Sequence, residues 1–236
     1  MKNSTRLKNA ARCFWLEWIR PALVIAAIVF PLKSAVADWN WVPSGSMKPT
    51  ILEGDLVLVN KLAYDFKLPF TLLRVATWGD PEADDIVVFF SPKDGTRLVK
   101  RIIGVPGDTL EMRDNVLFRN GAPLDYKLVR EHPFADELFE DTHPLVALER
   151  ADWGAHWVLA LPSRPARRSF PPLTVPEGKY FVMGDSRDNS FDSRFFGFVD
   201  REQIVGEARA VGLSFNKNNH YAPRFKRVLS SLRDNP

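Results

Sequence analysis

Apolar residues along most of this chain come in short runs closed by turn residues, a pattern that predicts strands rather than helices. Asp55-Leu-Val-Leu-Val-Asn60, Asp85-Ile-Val-Val-Phe-Phe90 and Arg97-Leu-Val-Lys-Arg-Ile-Ile103 each read as a strand, as do Lys179–Met183 and Gln203–Val211. Val105-Pro106-Gly107-Asp108 supplies a turn ahead of Thr109–Met112. Asn115–Phe118 runs into Asn120-Gly121, a dipeptide suited to a tight hairpin. Beyond the N-terminus no long stretch keeps a 3.6-residue period, so the body is expected to be mainly β. Residues 113–178 differ in texture, with eight prolines from Pro123 to Pro176 among mixed charges. They predict a loop-rich insert within an exported domain at 38–236.

The N-terminus follows another rule. Residues 21–32 carry no charge, which falls short of the roughly 20 residues of a spanning helix. Snorkelling of Arg20 and Lys33 would lengthen the run. Trp15 and Trp18 before it, and Trp39 and Trp41 after it, would then mark the two interfaces. This predicts a basic cytoplasmic tail at 1–17, a transmembrane anchor at 18–37, and export of the remainder. The stretch also ends in Ala35-Val36-Ala37, which fits a cleavable secretory signal. Both readings export the body, and the bracketing tryptophans favour a retained anchor.

Composition narrows the classes. With 236 residues, 45% of them hydrophobic, the chain can bury a core in one domain with an insertion. Five basic residues against Glu17 give residues 1–20 a charge of +4, so the net +3 leaves −1 for the rest. A nearly neutral body argues against nucleic acid as a partner. The one cysteine, Cys13, excludes an internal disulfide and an all-cysteine metal site. His132, His143, His156 and His220 are scattered, with no His-Glu-x-x-His pattern, so no metal is expected. From Arg209 to Arg233 there are six basic residues and no acidic one, which reads as a solvated face or a contact with anionic lipid.

The most distinctive stretch is Pro43-Ser44-Gly45-Ser46-Met47-Lys48-Pro49-Thr50. Glycine and proline bend the backbone around two hydroxyls and could present one serine in a rigid turn. There is no Gly-x-Ser-x-Gly elbow, and the histidines suggest no triad order. A serine nucleophile would need another base, and lysine serves on unrelated folds. Lys48 lies two residues from Ser46, but Pro49 occupies the place where a Ser-x-x-Lys enzyme has its lysine. Lys100 would share a strand face with Leu98 and Ile102, where apolar surroundings disfavour its charge. On the residues alone, a strand lysine whose tip reaches water stays open as the alternative.

Three blocks, Pro43–Lys61, Leu98–Met112 and Gly184–Val199, resemble the type I signal peptidase family. The last reads Gly-Asp-Ser-Arg-Asp-Asn-Ser-Phe-Asp-Ser-Arg-Phe-Phe-Gly-Phe-Val and is the most specific. The resemblance implies a Ser/Lys-dyad serine endopeptidase with a signal-peptidase-like β catalytic core behind an N-terminal transmembrane helix. Ser46 would be the nucleophile and Lys100 the general base. The Ser44 hydroxyl and the Ser46 backbone N–H would form the oxyanion hole. Ser190 matches the serine that orients the lysine, Asp192 and Arg194 a structural pair near the site, and Asp185 and Arg187 the scaffold of that segment. Met47, Ile51 and Val99 are the candidates for the substrate pocket.

The implied reaction is removal of signal peptides from exported preproteins at the outer face of the plasma membrane. It would proceed through an acyl-enzyme, after small residues at the first and third positions before the cut. Preproteins and the lipid bilayer would be the partners, with no cofactor. Two positions depart from the family pattern. Asp84 stands where the strand usually opens with glycine, and Lys48 follows Met47 where an uncharged residue is commoner. A specialised pilin- or conjugation-type peptidase of the same superfamily is the close rival. A self-cleaving repressor-type protease would need a helix-turn-helix, which is absent, and an anchored peptide-binding protein would not need Ser46, Lys100 and Ser190 together.

Overall fold

In the computed structural model, which describes residues 14–68, 71, 73–129 and 144–233, the described residues are mainly β. β1 (Ala37–Trp41), β2 (Asp55–Asn60), the short pair β3 (Asp65–Lys67) and β4 (Arg74–Thr77), β5 (Ile86–Phe90) and β6 (Arg97–Gly104) come first. They are followed by β7 (Thr109–Arg113), β8 (Val116–Arg119), β9 (Ala122–Pro123), β10 (Asp125–Val129), β11 (Leu145–Ala151), β12 (Gly154–Ala160) and β13 (Phe170–Thr174). β14 (Lys179–Met183), β15 (Val199–Asp200), β16 (Ile204–Asn216), β17 (Ala222–Pro223) and β18 (Ser230–Ser231) come last.

The main sheet runs β1-β2-β16-β5-β6-β14-β15 with antiparallel pairing. β5 reads as an unbroken apolar run because both of its faces are covered. Ile86 and Val88 join Val57, Val59, Val205 and Val211 on one side, and Val87 and Phe89 join Ile102, Val182 and Ile204 on the other. β16 serves two neighbours by shifting register at Ile204/Gly206 against β5 and at Ala208/Ala210 against β2. Such bulges bend a strand and re-aim its side chains. Gly206 is required there, since a Cβ would stand 2.5 Å from the Asn60 carbonyl oxygen.

The stretch expected to be a loop-rich insert is built largely of strands in its described part. One sheet runs β13-β7-β8-β9 and another β10-β11-β12. Three of the prolines that suggested loops sit where strands tolerate them, Pro171 and Pro172 on β13 and Pro123 on β9, the two edges of their sheet, whereas Pro144, Pro162, Pro165 and Pro176 lie between strands. Asn120 (φ 52°) and Gly121 (φ 84°) form the expected tight turn between β8 and β9. His132, Pro133 and His143 lie outside the described residues.

The N-terminal segment departs from the expected span at 18–37. A π-helical turn at Trp15–Ile19 leads into an α-helix at Arg20–Val36, and no helix among the described residues is long and apolar enough to cross a membrane. Ala37 already belongs to β1, which pairs with β2 from Ala37↔Asn60 to Trp41↔Leu56. Backbone pairing thus ends the helix early, and Arg20 and Lys33 interrupt the apolar character of what remains. Trp39 and Trp41 lie exposed on a strand rather than at a helix end. Residues 1–13 of the expected tail lie outside the described residues.

Asp55 ties the far side of the sheet to the C-terminal stretch. Fully buried, its carboxylate accepts from the Leu52 N–H (2.9 Å), the Ser214 hydroxyl (2.6 Å) and Arg227 Nη2 (2.6 Å), with Arg224 at 3.9 Å. Removing one partner of a buried ion pair typically costs about 3–5 kcal/mol. Arg227→Ala is expected to lower the unfolding free energy by about 3 kcal/mol in chemical denaturation of the full chain. A loss under about 1 kcal/mol, the worth of an exposed pair, would mean that the neutral donors and Arg224 suffice.

Candidate active site

Gly45–Met47 forms a single 3₁₀ turn, with Ser44 and Lys48 extended on either side. The turn buries Met47 in the core and leaves Ser46 half-buried at the surface of β6. Two backbone bonds fix it: the Ile51 N–H donates to the Met47 carbonyl (2.9 Å) and the Ser186 N–H to the Ser46 carbonyl (3.1 Å). Gly184 allows the second approach. A Cβ there would fall 2.4 Å from the Ser46 carbonyl oxygen and 2.3 Å from Ser190 Oγ.

Lys100 comes from the middle of β6, 3% exposed. Its Nζ lies 2.6 Å from Ser46 Oγ and 3.0 Å from the Val99 carbonyl oxygen. No carboxylate among the described residues forms an ion pair with it. The nearby acids are held elsewhere: Arg194 grips Asp192 through two contacts of 2.8 Å, and Arg101 grips Asp185 at 2.9 and 2.8 Å. Burial therefore outweighs the pull of Asp192 and Asp185, helped by repulsion from Arg194, and lowers the amine from 10.5 to about 8. Lys48, the other candidate base, faces Glu53 at 3.7 Å.

Two clefts meet at Ser44, Ser46, Leu98 and Lys100. The smaller, about 150 Å³, is walled by Trp41, Val42, Met47 and Val99. The larger, about 460 Å³, is walled by Asn189, Ser190, Phe191 and Phe195. Ile51 is fully buried in the core that holds Met47 and Val99, and does not reach either wall. Another hollow of about 440 Å³, at Asp80–Ala83, Pro106 and Glu177, contains neither serine nor lysine.

Ser190 lines the larger cleft, and its buried hydroxyl has no well-aligned hydrogen-bond partner among the described residues. Asp192 caps the short helix Ser193–Phe196 and also accepts from the Gly184 N–H at 3.0 Å. Burial pushes that carboxyl up, but Arg194 and the Gly184 N–H outweigh it and leave its pKa lowered. A further set of charges, buried Glu149, His156 and Arg187 with the partly exposed Asp84, belongs to no motif that would flag its joint arrangement. One signal did exist. Asp84 sits at φ 79°, a conformation at which glycine is at ease.

Residues 15–213 match the family described as signal peptidase, peptidase S26. The chain is 36% identical over 228 residues to a signal peptidase I of Pseudomonas aeruginosa, a match covering 90% of this chain and 78% of the other. It is 36% identical over 229 residues to a signal peptidase I of Pseudomonas fluorescens, with the same 90% and 78% covered. A crystal structure of a signal peptidase I from Enterococcus faecalis V583 is 36% identical, with 56% of this chain and 98% of that one covered at a TM-score of 0.34.

A lysine lowered in this way works against the fold at neutral pH. Below about 8 the amine is charged in both states, and the folded state bears the whole desolvation. Between about 8 and 10.5 the unfolded chain holds a proton that the folded one has lost, so the cost fades as pH rises. The fall corresponds to about 3 kcal/mol. Lys100→Met, similar in shape and uncharged, is expected to raise the unfolding free energy by about 2–3 kcal/mol at pH ~7 and by little at pH ~10.5, compared by denaturation. Equal stability of variant and parent at neutral pH would mean that the amine is solvated.

Proposed function

Because the chain belongs to the signal peptidase family, peptidase S26, we propose that it is a membrane-bound serine endopeptidase that removes N-terminal signal peptides from exported preproteins. The observation that carries the reading is the 2.6 Å approach of a buried lysine amine to Ser46 Oγ. With a pKa of about 8, a useful share of that amine is neutral near pH 7–8 and able to accept a proton. Ser46 Oγ attacks the scissile carbonyl carbon while its proton passes to Lys100 Nζ. The oxyanion is met by the Ser44 hydroxyl and the Ser46 backbone N–H. Lys100 then gives its proton to the leaving amine, and the neutral lysine next activates a water that hydrolyses the acyl ester.

Ser190, which lines the larger cleft with Lys100, is the residue to orient the amine, and the Asp192–Arg194 pair holds the segment that carries Ser190. The narrow cleft at Met47 and Val99 supports a preference for small side chains, such as alanine, at the first and third positions before the cut. Lipid contact is supported by the helical run from Trp15 to Val36, about 30 Å at ~1.5 Å per residue. Exposed Trp39, Trp41, Leu213, Phe225 and Leu229 add apolar surface to the folded domain. On this reading the N-terminus is cytoplasmic and the β domain lies outside the plasma membrane, single-pass. Retention of residues 1–37 is supported by the Lys61 N–H, which donates to the Val36 carbonyl at 3.0 Å, and by the pairing of Ala37 with Asn60. The Ala37–Asp38 bond is thereby held in the edge strand β1, paired to β2, and is not free to enter the cleft beside Ser46.

The test is cleavage of a preprotein panel. Ser46→Ala and Lys100→Ala are each expected to abolish processing in folded protein, whereas Lys48→Ala keeps most of it. An inactive Lys48→Ala beside an active Lys100→Ala would contradict the base assignment. Ser44→Ala is expected to lower kcat by about 10²–10³ with KM little changed, the usual effect of a lost oxyanion donor. A near-normal kcat would remove Ser44 from the oxyanion hole.

A further inference from the structure

The β11–β12 hairpin of the insert reaches the catalytic serine through one short segment. On β12 the Leu159 N–H donates to the Asp185 carbonyl (2.8 Å), and Leu159 bridges to Ser186 in parallel. The next donor along, the Ser186 N–H, is the one bonded to the Ser46 carbonyl. The Asp185 carboxylate meanwhile accepts from the Thr50 hydroxyl (2.5 Å) and from Arg101, the residue after Lys100. Nucleophile, base strand and insert therefore converge on residues 184–186.

A second attachment of the same hairpin lies at His156, 3% exposed on β12. Its Nδ1 is 2.9 Å from Asp84 Oδ1, and its Nε2 is 3.2 Å from Glu149 Oε1. Both ring nitrogens thus lie within ion-pair distance of a carboxylate oxygen. A neutral imidazole carries one N–H and would turn a lone pair towards one of the two carboxylates, whereas an imidazolium presents a proton to both. The groups facing the ring from other elements are Asp84 ahead of β5, Arg101 on β6 and Glu149 on β11. Arg187 (2.7 Å) and the Tyr126 hydroxyl (2.6 Å) reach it through Glu149. Asp84, Glu149 and Asp185 face Arg101 and Arg187, and a protonated His156 would complete the charge balance. Burial and Arg101 disfavour that charge, but Asp84 and Glu149 outweigh them and raise the imidazole above 6.5.

Asp84 accepts a left-handed backbone (φ 79°) to take this place, where it also binds Arg101 Nη1 at 2.9 Å. The turn of the hairpin packs close by, and a Cβ on Gly154 would meet Asp84 Oδ2 at 3.3 Å.

We propose that the insert hairpin is a clamp on the catalytic segment and that Asp84 and His156 are its clasp, positioning residues that act through Arg101 and Asp185 on Ser46 and Lys100. The sign of the pH effect follows. A group whose pKa is raised by folding contributes fully below its unfolded value, ~6.5, and the contribution is lost as pH rises through the folded value. Lys100 gains activity as it loses its proton, so the two groups set opposite limbs of the kcat profile.

The experiment has two arms on the full chain in detergent. Ring-nitrogen NMR of ¹⁵N-histidine-labelled protein, with His156 assigned by His156→Gln, is expected to find both nitrogens protonated at pH ~6.5, half the ring population being charged in an unperturbed histidine. A single neutral tautomer there overturns the proposal. In the kinetic arm, Asp84→Gly suits φ 79° and keeps the backbone. It is expected to lower kcat about 10- to 100-fold with KM nearly unchanged, and to move the alkaline limb to lower pH. His156→Gln, which cannot titrate, is expected to lower the plateau and abolish that limb, and if it does not fold, Asp84→Gly decides alone. Folded Asp84→Gly protein with an unchanged kcat and profile overturns the clasp. The kinetic arm rests on the Ser46–Lys100 reading. Failure of that reading would appear as a processing-competent Ser46→Ala and would leave the ring NMR result unaffected.

Discussion

A lysine amine serves as a base near neutral pH only where nothing around it rewards its charge. In this fold two carboxylates, Asp185 and Asp192, lie close enough to do so. Each is gripped through two contacts by a buried arginine, Arg101 and Arg194 respectively. The arginines satisfy the acids in a fixed, planar geometry that a lysine does not match. With the acids occupied, desolvation dominates the balance at Lys100 and the amine falls to about 8. The Asp192–Arg194 pair, expected to be only structural, and the Asp185–Arg101 pair, which the sequence reading did not join, thus set the electrostatic condition for a lowered Lys100.

The sheet supplies the other condition, a dry wall. β6 lies between β5 and β14, with apolar clusters on both faces of β5, so Lys100 leaves the backbone where water has little access. Ser46 rides on the connection between β1 and β2, outside any strand, and is held there by contacts from elsewhere in the chain. Gly184 and the Ser186 N–H provide it from the far end of β14, and the insert backs the same segment through Leu159. The placement of Ser46 therefore depends on contacts between stretches more than a hundred residues apart in sequence.

That arrangement explains what the sequence could and could not reveal. β2 and β14 are legible to the residue because their apolar runs are bounded by polar ends, Asp55 and Asn60 in one case. The Asn120-Gly121 turn is legible because its positive φ values are a local demand. Pro123, Pro171 and Pro172 misled in the insert, since the residues do not show which strands will be edges. Trp39 and Trp41 misled at the N-terminus, because pairing with β2 decides their backbone and no local period opposes it. At the site, the residues alone left Lys48 and Lys100 open, and a resemblance was needed to choose. The distance of 2.6 Å from Lys100 Nζ to Ser46 Oγ now supports that choice on geometry. His156 looked like one scattered histidine because its partners come from three separate elements.

A Ser46–Lys100 mechanism requires one amine, that of Lys100, to be uncharged in a useful share of molecules near neutral pH. The direct measurement is NMR titration of the Lys100 side chain in ¹³C,¹⁵N-lysine-labelled full-length protein, assigned by its absence from Lys100→Met. A midpoint of about 8 is expected in the folded enzyme, rising towards 10.5 when the chain is unfolded. A folded-state midpoint at or above about 10, the ordinary range of a solvated lysine, would contradict it.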